Sequence, residues 1–185
     1  MNQTSSNWQP MGYATFFQRV NAFVIDSLVF IPLNLLAEYN TFFLKNFLIV
    51  IFIALAWCVY KPVMEWKYGA TLGKMVLKMR VVDDQMQGIS LNQALLRFLP
   101  YFAVSLSALL SSYSLFHADG FQEVNNFTSL QDLQQEPSNG GGFLLSVFFF
   151  IFSATAIFFD EKKQAMHDRF SHTYCILIQN KASNN

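Results

Sequence analysis

Four apolar runs in this chain are long enough, or nearly so, to cross the ~30 Å hydrocarbon core of a bilayer. They lie at about 17–37, 43–63 (FLKNFLIVIFIALAWCVYKPV), 92–115 (NQALLRFLPYFAVSLSALLSSYSL) and 143–159 (FLLSVFFFIFSATAIFF). In lipid every backbone polar group needs an internal partner, so runs of this kind are committed to helices. The expected fold is an all-α membrane protein of four transmembrane helices with a small cytoplasmic β element. Composition agrees: 53% of residues are hydrophobic, 21 are Phe and only 13% are charged, where globular domains are nearer a quarter charged. Zero net charge gives no reason to expect nucleic acid or an acidic substrate. Residues 1–12 are polar and lack a basic leader, so they are read as a tail and not as a removable signal peptide. Residues 180–185 form a second polar tail, and 13–179 is the membrane domain.

The basic residues set an orientation. Loops 38–42 and 116–142 contain no Lys or Arg, and Lys45 stands just inside the second span. The other eleven basic residues lie near the N-terminal end of the first span, within 61–97, or beyond 160. Lys and Arg mark the cytoplasmic side, which places both termini and the 64–91 segment inside. The 116–142 loop carries Asp119, Glu123, Asp132 and Glu136 and ends in three glycines. It is expected to be a flexible connector. Asn126-Phe127-Thr128 matches a glycosylation sequon, which has meaning only in a eukaryotic secretory setting.

The inner segment GATLGKMVLKMRVVDDQMQGISLNQALLR is more structured. It reads as a short interfacial helix after the Gly69–Gly73 pair, a strand near 78–82, and a turn at 83–88. Ser90 is then the N-cap of the third span, with Gln93 completing a capping box. GATLGK is no phosphate-binding loop, because the spacing is wrong and no Ser or Thr follows Lys74. The segment 173–179 (TYCILIQ) also reads as a strand and is expected to pair with the first as a two-stranded cytoplasmic ribbon. Cys58 and Cys175 have no partners at metal-binding spacing and are read as packing residues.

Charges within the spans carry the functional question. Arg19 and Asp26 are seven residues apart and project from nearly one helix face, about 10 Å apart along the axis. A lipid-facing charge near the bilayer centre costs at least ~2.5–3.5 kcal/mol, so both need partners or water. Arg97 lies shortly inside the third span, and Asp168 follows the fourth. One reading pairs Asp26 with Arg97 and Arg19 with Asp168 as clamps that fix helix register. The other makes Asp26 a titrating carboxylate on a proton or cation path, with Asn34, Ser105 and Ser107 as candidate wall residues. No second acid lies within the four runs to form a relay. His167 beside Asp168 is a candidate acid–base group, or a solvated interfacial histidine. No nucleophile–base pairing stands at a defensible spacing, so an enzyme is not expected, nor is a cofactor.

Three stretches, in order, resemble the RDD family of small bacterial integral membrane proteins. In RVNAFVIDSLV, Arg19 and Asp26 match the family's Arg and first Asp. GATLGKMVLKMRVVDD is followed by the LLR that contains Arg97. In KKQAMHDRFSHTYCILI, His167-Asp168 match the family's His-Asp and Thr173 its following Thr. Two positions depart from the pattern: His172 stands where a small residue, often Gly, is common, and Leu72 where Pro is common. The resemblance implies a protein of the bacterial cytoplasmic membrane. It also implies a role in transport of a small cation or solute, with cation/proton exchange proposed for some members. A wall of four spans is thin, so a homo-oligomer is expected if the chain transports. A non-transporting scaffold or accessory subunit that binds another protein is the alternative.

Overall fold

The structure is a computed structural model that describes residues 8–134, 155, 157, 158 and 160–180. Strand β1 (Trp8–Tyr13) leads into α1 (Phe16–Val29), whose N-cap Thr15 forms a capping box with Gln18. The first run was expected to be one span, but it is broken at Phe30 and continues as α2 (Ile31–Tyr39) and a π-helical segment (Asn40–Leu44). The two halves are bent by 56°. Pro32 in the first turn of α2 is the cause: it offers no N–H to the carbonyl four residues back and its ring crowds that carbonyl.

Helix α3 runs Phe47–Tyr68 and α5 runs Leu91–Phe116. Both are long and apolar enough to cross a membrane, and the bent α1–α2 pair makes a third candidate if counted as one span. The second span therefore starts and ends about four or five residues later than 43–63. Asn46 caps its start through Leu48 N–H, and Gly69 ends it in the left-handed region at φ 73°. The third matches its expected bounds, with Ser90 and Gln93 forming the capping box. The fourth expected span, 143–159, lies outside the described residues except Thr155, Ile157 and Phe158, and the 180–185 tail lies almost wholly outside them.

At one end of the bundle, α4 (Leu72–Val76), β2 (Met79–Asp83), α7 (Met166–Phe170) and β3 (Thr173–Asn180) form a compact platform. The sheet has three strands in the order β1-β3-β2, all antiparallel, not the two of the expected ribbon. The third strand comes from the segment read as a polar tail. Its Pro10 and Gly12 flank a register shift, which suits an edge strand. Bonds that tie the platform to the bundle include Ala14 N–H to Cys175 O, Val81 N–H to Gly69 O, and Gln93 Nε2 to Ser171 O.

At the other end, the acidic segment is not a loose connector over residues 116–134. A 3-10 turn (Phe121–Glu123) and α6 (Phe127–Gln134) bury Phe121, Val124 and Leu130 against Phe42, Leu115 and Phe116. Lys45 closes this cap by donating to Gln122 O, and Asn40 exchanges hydrogen bonds with the Asn46 backbone. The rest of the segment, 135–142, lies outside the described residues.

Gly73 fixes how the platform meets the bundle. A Cβ there would collide with the Ala22 carbonyl of α1 and approach the Asp26 carboxylate at 3.1 Å. Gly73→Ala is expected to lower thermal stability in detergent by about 1–3 kcal/mol, because a backbone oxygen cannot move aside as a side chain can. Gly88→Ala, where a Cβ meets nothing within 4 Å, is the matched control and should change little.

Candidate functional site

Arg97 lies in the second turn of α5, on the face turned away from lipid, and has no exposed surface. Its Nε donates to Glu65 Oε2 at 2.9 Å, and its Nη1 donates to Asp168 Oδ1 at 2.5 Å and to Thr173 Oγ1. The guanidinium thus joins α3, α7 and β3. Both carboxylates carry further cations. Glu65 Oε1 takes Lys74 Nζ at 2.5 Å and, in a looser contact, Lys61 Nζ at 3.7 Å. Asp168 Oδ2 takes Arg19 Nη1 at 2.5 Å and the Ala165 N–H at 3.1 Å. Arg19 also donates to Lys163 O and Ala14 O, which pins the segment before α7 to the start of α1. Lys61 lies 3.9 Å from the centroid of the Tyr101 ring, a contact that gains strength where water is scarce.

The cluster therefore sets four cations (Arg19, Lys61, Lys74, Arg97) against two carboxylates (Glu65, Asp168). Burial by itself would raise the Asp168 pKa. Arg97 and Arg19, with His167, overcome that and hold the carboxyl far below the usual range. Its contribution to stability is present above the unfolded value near ~3.9 and is lost only as pH falls below it.

His167 is buried, with Nε2 3.3 Å from Asp168 Oδ1 and its ring 5.5 Å from that of Tyr101. It is not the solvated interfacial residue of one sequence reading. Burial pushes its pKa well down; Asp168 opposes this, while Arg97, Lys61 and Arg19 reinforce it. The imidazole is neutral at physiological pH.

Asp26 stands apart. It is buried, and its Oδ1 accepts the Tyr60 hydroxyl at 2.7 Å and the Gly73 N–H at 2.7 Å. Tyr60 in turn accepts the Leu72 N–H at 3.0 Å. The expected Asp26–Arg97 clamp does not form, because α4 lies over Asp26 while Arg97 Nε and Nη1 are turned to Glu65, Asp168 and Thr173. The expected Arg19–Asp168 clamp does form. Of the candidate wall residues, Asn34 is exposed and Ser105 and Ser107 are half-buried, and none hydrogen-bonds Asp26.

Sequence reasoning missed Glu65, the fully buried acid that completes the cluster. Ending the second span at residue 63 put it in the inner segment 64–91. The signal that could have placed it was Gly69, a helix-ending residue four positions later, with Lys67 in the preceding turn.

The RDD family model matches residues 13–172, which contain all of these charges. The chain belongs to the RDD family. No curated protein and no solved structure matches it. Both departures from the family pattern have a structural meaning. His172 has φ 50°, a conformation that glycine adopts without strain. Leu72 is the first helical residue of α4 after N-cap Thr71, where proline is favoured. In this RDD protein the position keeps an N–H, and that N–H holds Tyr60.

Removing either acid should strand several cations. Glu65→Gln and Asp168→Asn are each expected to cost ~3–5 kcal/mol of stability, measured as loss of melting temperature in detergent. Together they should cost less than their sum, because both bind Arg97.

A pH dependence follows from His167. The unfolded chain takes up a proton near ~6.5 while the folded chain does not, so stability should fall as pH drops below that value. The slope should approach ~1.4 kcal/mol per pH unit. His167→Gln should remove about one proton's worth of it, read from melting temperatures between pH 7.5 and 5.5.

Proposed function

We propose that this protein carries a small cation or proton across the bacterial cytoplasmic membrane, or supports a partner that does, with Asp26 as the group that changes. The observation that carries this reading is the setting of Asp26. Among the described residues it is the buried acid held by neutral donors alone, without a cation beside it. It also lies one turn before the break in the first span, where Phe30 N–H caps back onto the Asp26 carbonyl. Intramembrane acids and broken helices commonly mark ion pathways. Protonation or cation binding at Asp26 would alter its hold on Gly73 and Tyr60, and so the seat of α4 on the bundle.

On this reading the platform and both termini face the cytoplasm, which the preference of Lys and Arg for that side supports. Even four spans make a thin wall around a path, so on this reading the working unit is a homo-oligomer. A rival reading, a scaffold or accessory subunit, is favoured by the edge strand β1, where Gln9–Gly12 are exposed among the described residues and a partner strand could extend the sheet.

Ion flux in liposomes, with and without a pH gradient, tests this directly. Asp26→Asn retains the acceptor oxygen for Tyr60 and Gly73 and strands no cation, so it should fold, at a cost of about 0.5–1.5 kcal/mol. Flux normalised to folded protein should drop at least tenfold, the effect of about 1.4 kcal/mol on the step it serves. Wild-type flux from Asp26→Asn would remove Asp26 as the carrier, and no flux from the wild-type chain would leave the scaffold reading.

A further inference from the structure

Where α3 ends, the backbone turns through Gly69 and Ala70 into α4 and then into β2, and a cleft of about 250 Å³ opens between these elements and β3. Tyr68, Ala70, Met75, Lys78, Arg80 and Ile178 line it. Two cations meet there, and among the described residues neither has an anionic partner. The Arg80 guanidinium is built into its position. Its side chain lies across Gly69, where a Cβ would sit 2.9 Å from Nε and 3.1 Å from Cγ. Its Cζ is 5.3 Å from the Trp8 ring. Its Nε is buried without a hydrogen-bond acceptor, which is a costly way to leave a charged group. Burial alone shifts Arg80, downward, with no anion acting to raise it. Lys78 is held in the left-handed region at φ 54°, and its backbone oxygen is bonded to Ile178 N–H.

The cleft's surroundings define its ligand. Trp66 and Tyr68 are exposed in the last turn of the spanning helix α3, the aromatic pattern found at headgroup depth. Next to the cleft, Leu72, Met75 and Val76 expose apolar side chains on α4. A ligand that suits all of this has an anionic phosphate for Lys78 and Arg80 and an acyl chain for the α4 face. The C-terminal dipole of α3 opposes an anion, but with only about half a unit charge against two full positive charges.

We propose that this cleft binds the phosphodiester headgroup of an anionic phospholipid, with Arg80 and Lys78 as its ligands and the exposed face of α4 against an acyl chain. The lipid then acts as a wedge between the sheet and the membrane surface, holding β2 at headgroup depth. This site is separate from the Arg97 cluster and from Asp26, and does not depend on transport.

Native mass spectrometry of the full chain, released from mixed phosphatidylglycerol and phosphatidylcholine micelles, tests it. The wild-type chain should retain phosphatidylglycerol in preference to phosphatidylcholine. Lys78→Gln and Arg80→Gln should each weaken that preference about fivefold, the effect expected for one basic residue at a membrane surface. Arg80→Lys should keep most of it. Should Arg80→Gln fail to fold, Lys78→Gln decides the matter alone, since the Lys78 side chain is exposed. An unchanged preference in the Lys78→Gln variant, or none in the wild-type chain, overturns the proposal. Displacement of the lipid by excess inorganic phosphate overturns it too, because a soluble phosphate would then be the ligand.

Discussion

Arg97 has no exposed surface, and the platform stays on the bundle because this guanidinium holds two carboxylates from different elements. Within lipid the hydrophobic effect does little to bring apolar helices together, so polar contacts and close packing decide how they associate. The residues joining sheet to helices follow that rule: Arg19, Glu65, Lys74, Arg97, Asp168 and Thr173 converge from α1, α3, α4, α5, α7 and β3. Buried ion pairs add little net stability by themselves. Their effect is specificity, because any slip of one helix would leave several charges unpaired at once.

Helix α4 links this cluster to Asp26 through two consecutive residues. The Gly73 N–H binds the Asp26 carboxylate, and the Lys74 ammonium binds Glu65. A helix of five residues has little stability of its own. Its position is therefore set by what these two residues hold. On one side the hold is a fixed ion pair in a crowded cluster. On the other it is a set of neutral donors around an acid that has no counter-charge. Change at Asp26 would move α4 relative to the cluster, while change at Glu65 would dismantle the cluster itself.

Several features were legible because they depend on local chemistry. The capping box at Ser90 and Gln93, strand β2, strand β3 and the bounds of α5 follow from residue type at short range. The Arg19–Asp168 pair was legible because both residues sit at the same end of their elements, and salt of opposite sign at one depth leaves few partners. Asp26 was matched with Arg97 by depth alone. Depth does not fix rotation about a helix axis, and rotation is what turned Asp26 toward α4. Strand β1 was hidden by Pro10 and Gly12, which break the alternation of a central strand but suit an edge. The cap over α5 was hidden because Phe121, Val124 and Leu130 are three apolar residues spread through an acidic stretch. Their burial depends on Phe42, which is far away in sequence.

The signs of the buried charges separate support from function. A cluster with two more cations than carboxylates repels a passing cation, and Asp168 stays ionised through the physiological range because Arg97 and Arg19 hold it so. Neither property suits a group that must bind and release a positive charge in each cycle. Asp26 has the opposite setting, since hydroxyl and amide donors stabilise a carboxylate without setting a cation beside it, as its proposed role requires. Those same donors also anchor α4 and lie beside a broken helix, so a change of charge there has a mechanical outlet. The Leu72 N–H strengthens the arrangement by fixing Tyr60, a bond that proline at this position could not make. This protein thus keeps its excess positive charge in the lock and leaves Asp26, the buried acid without a cation beside it among the described residues, at the joint.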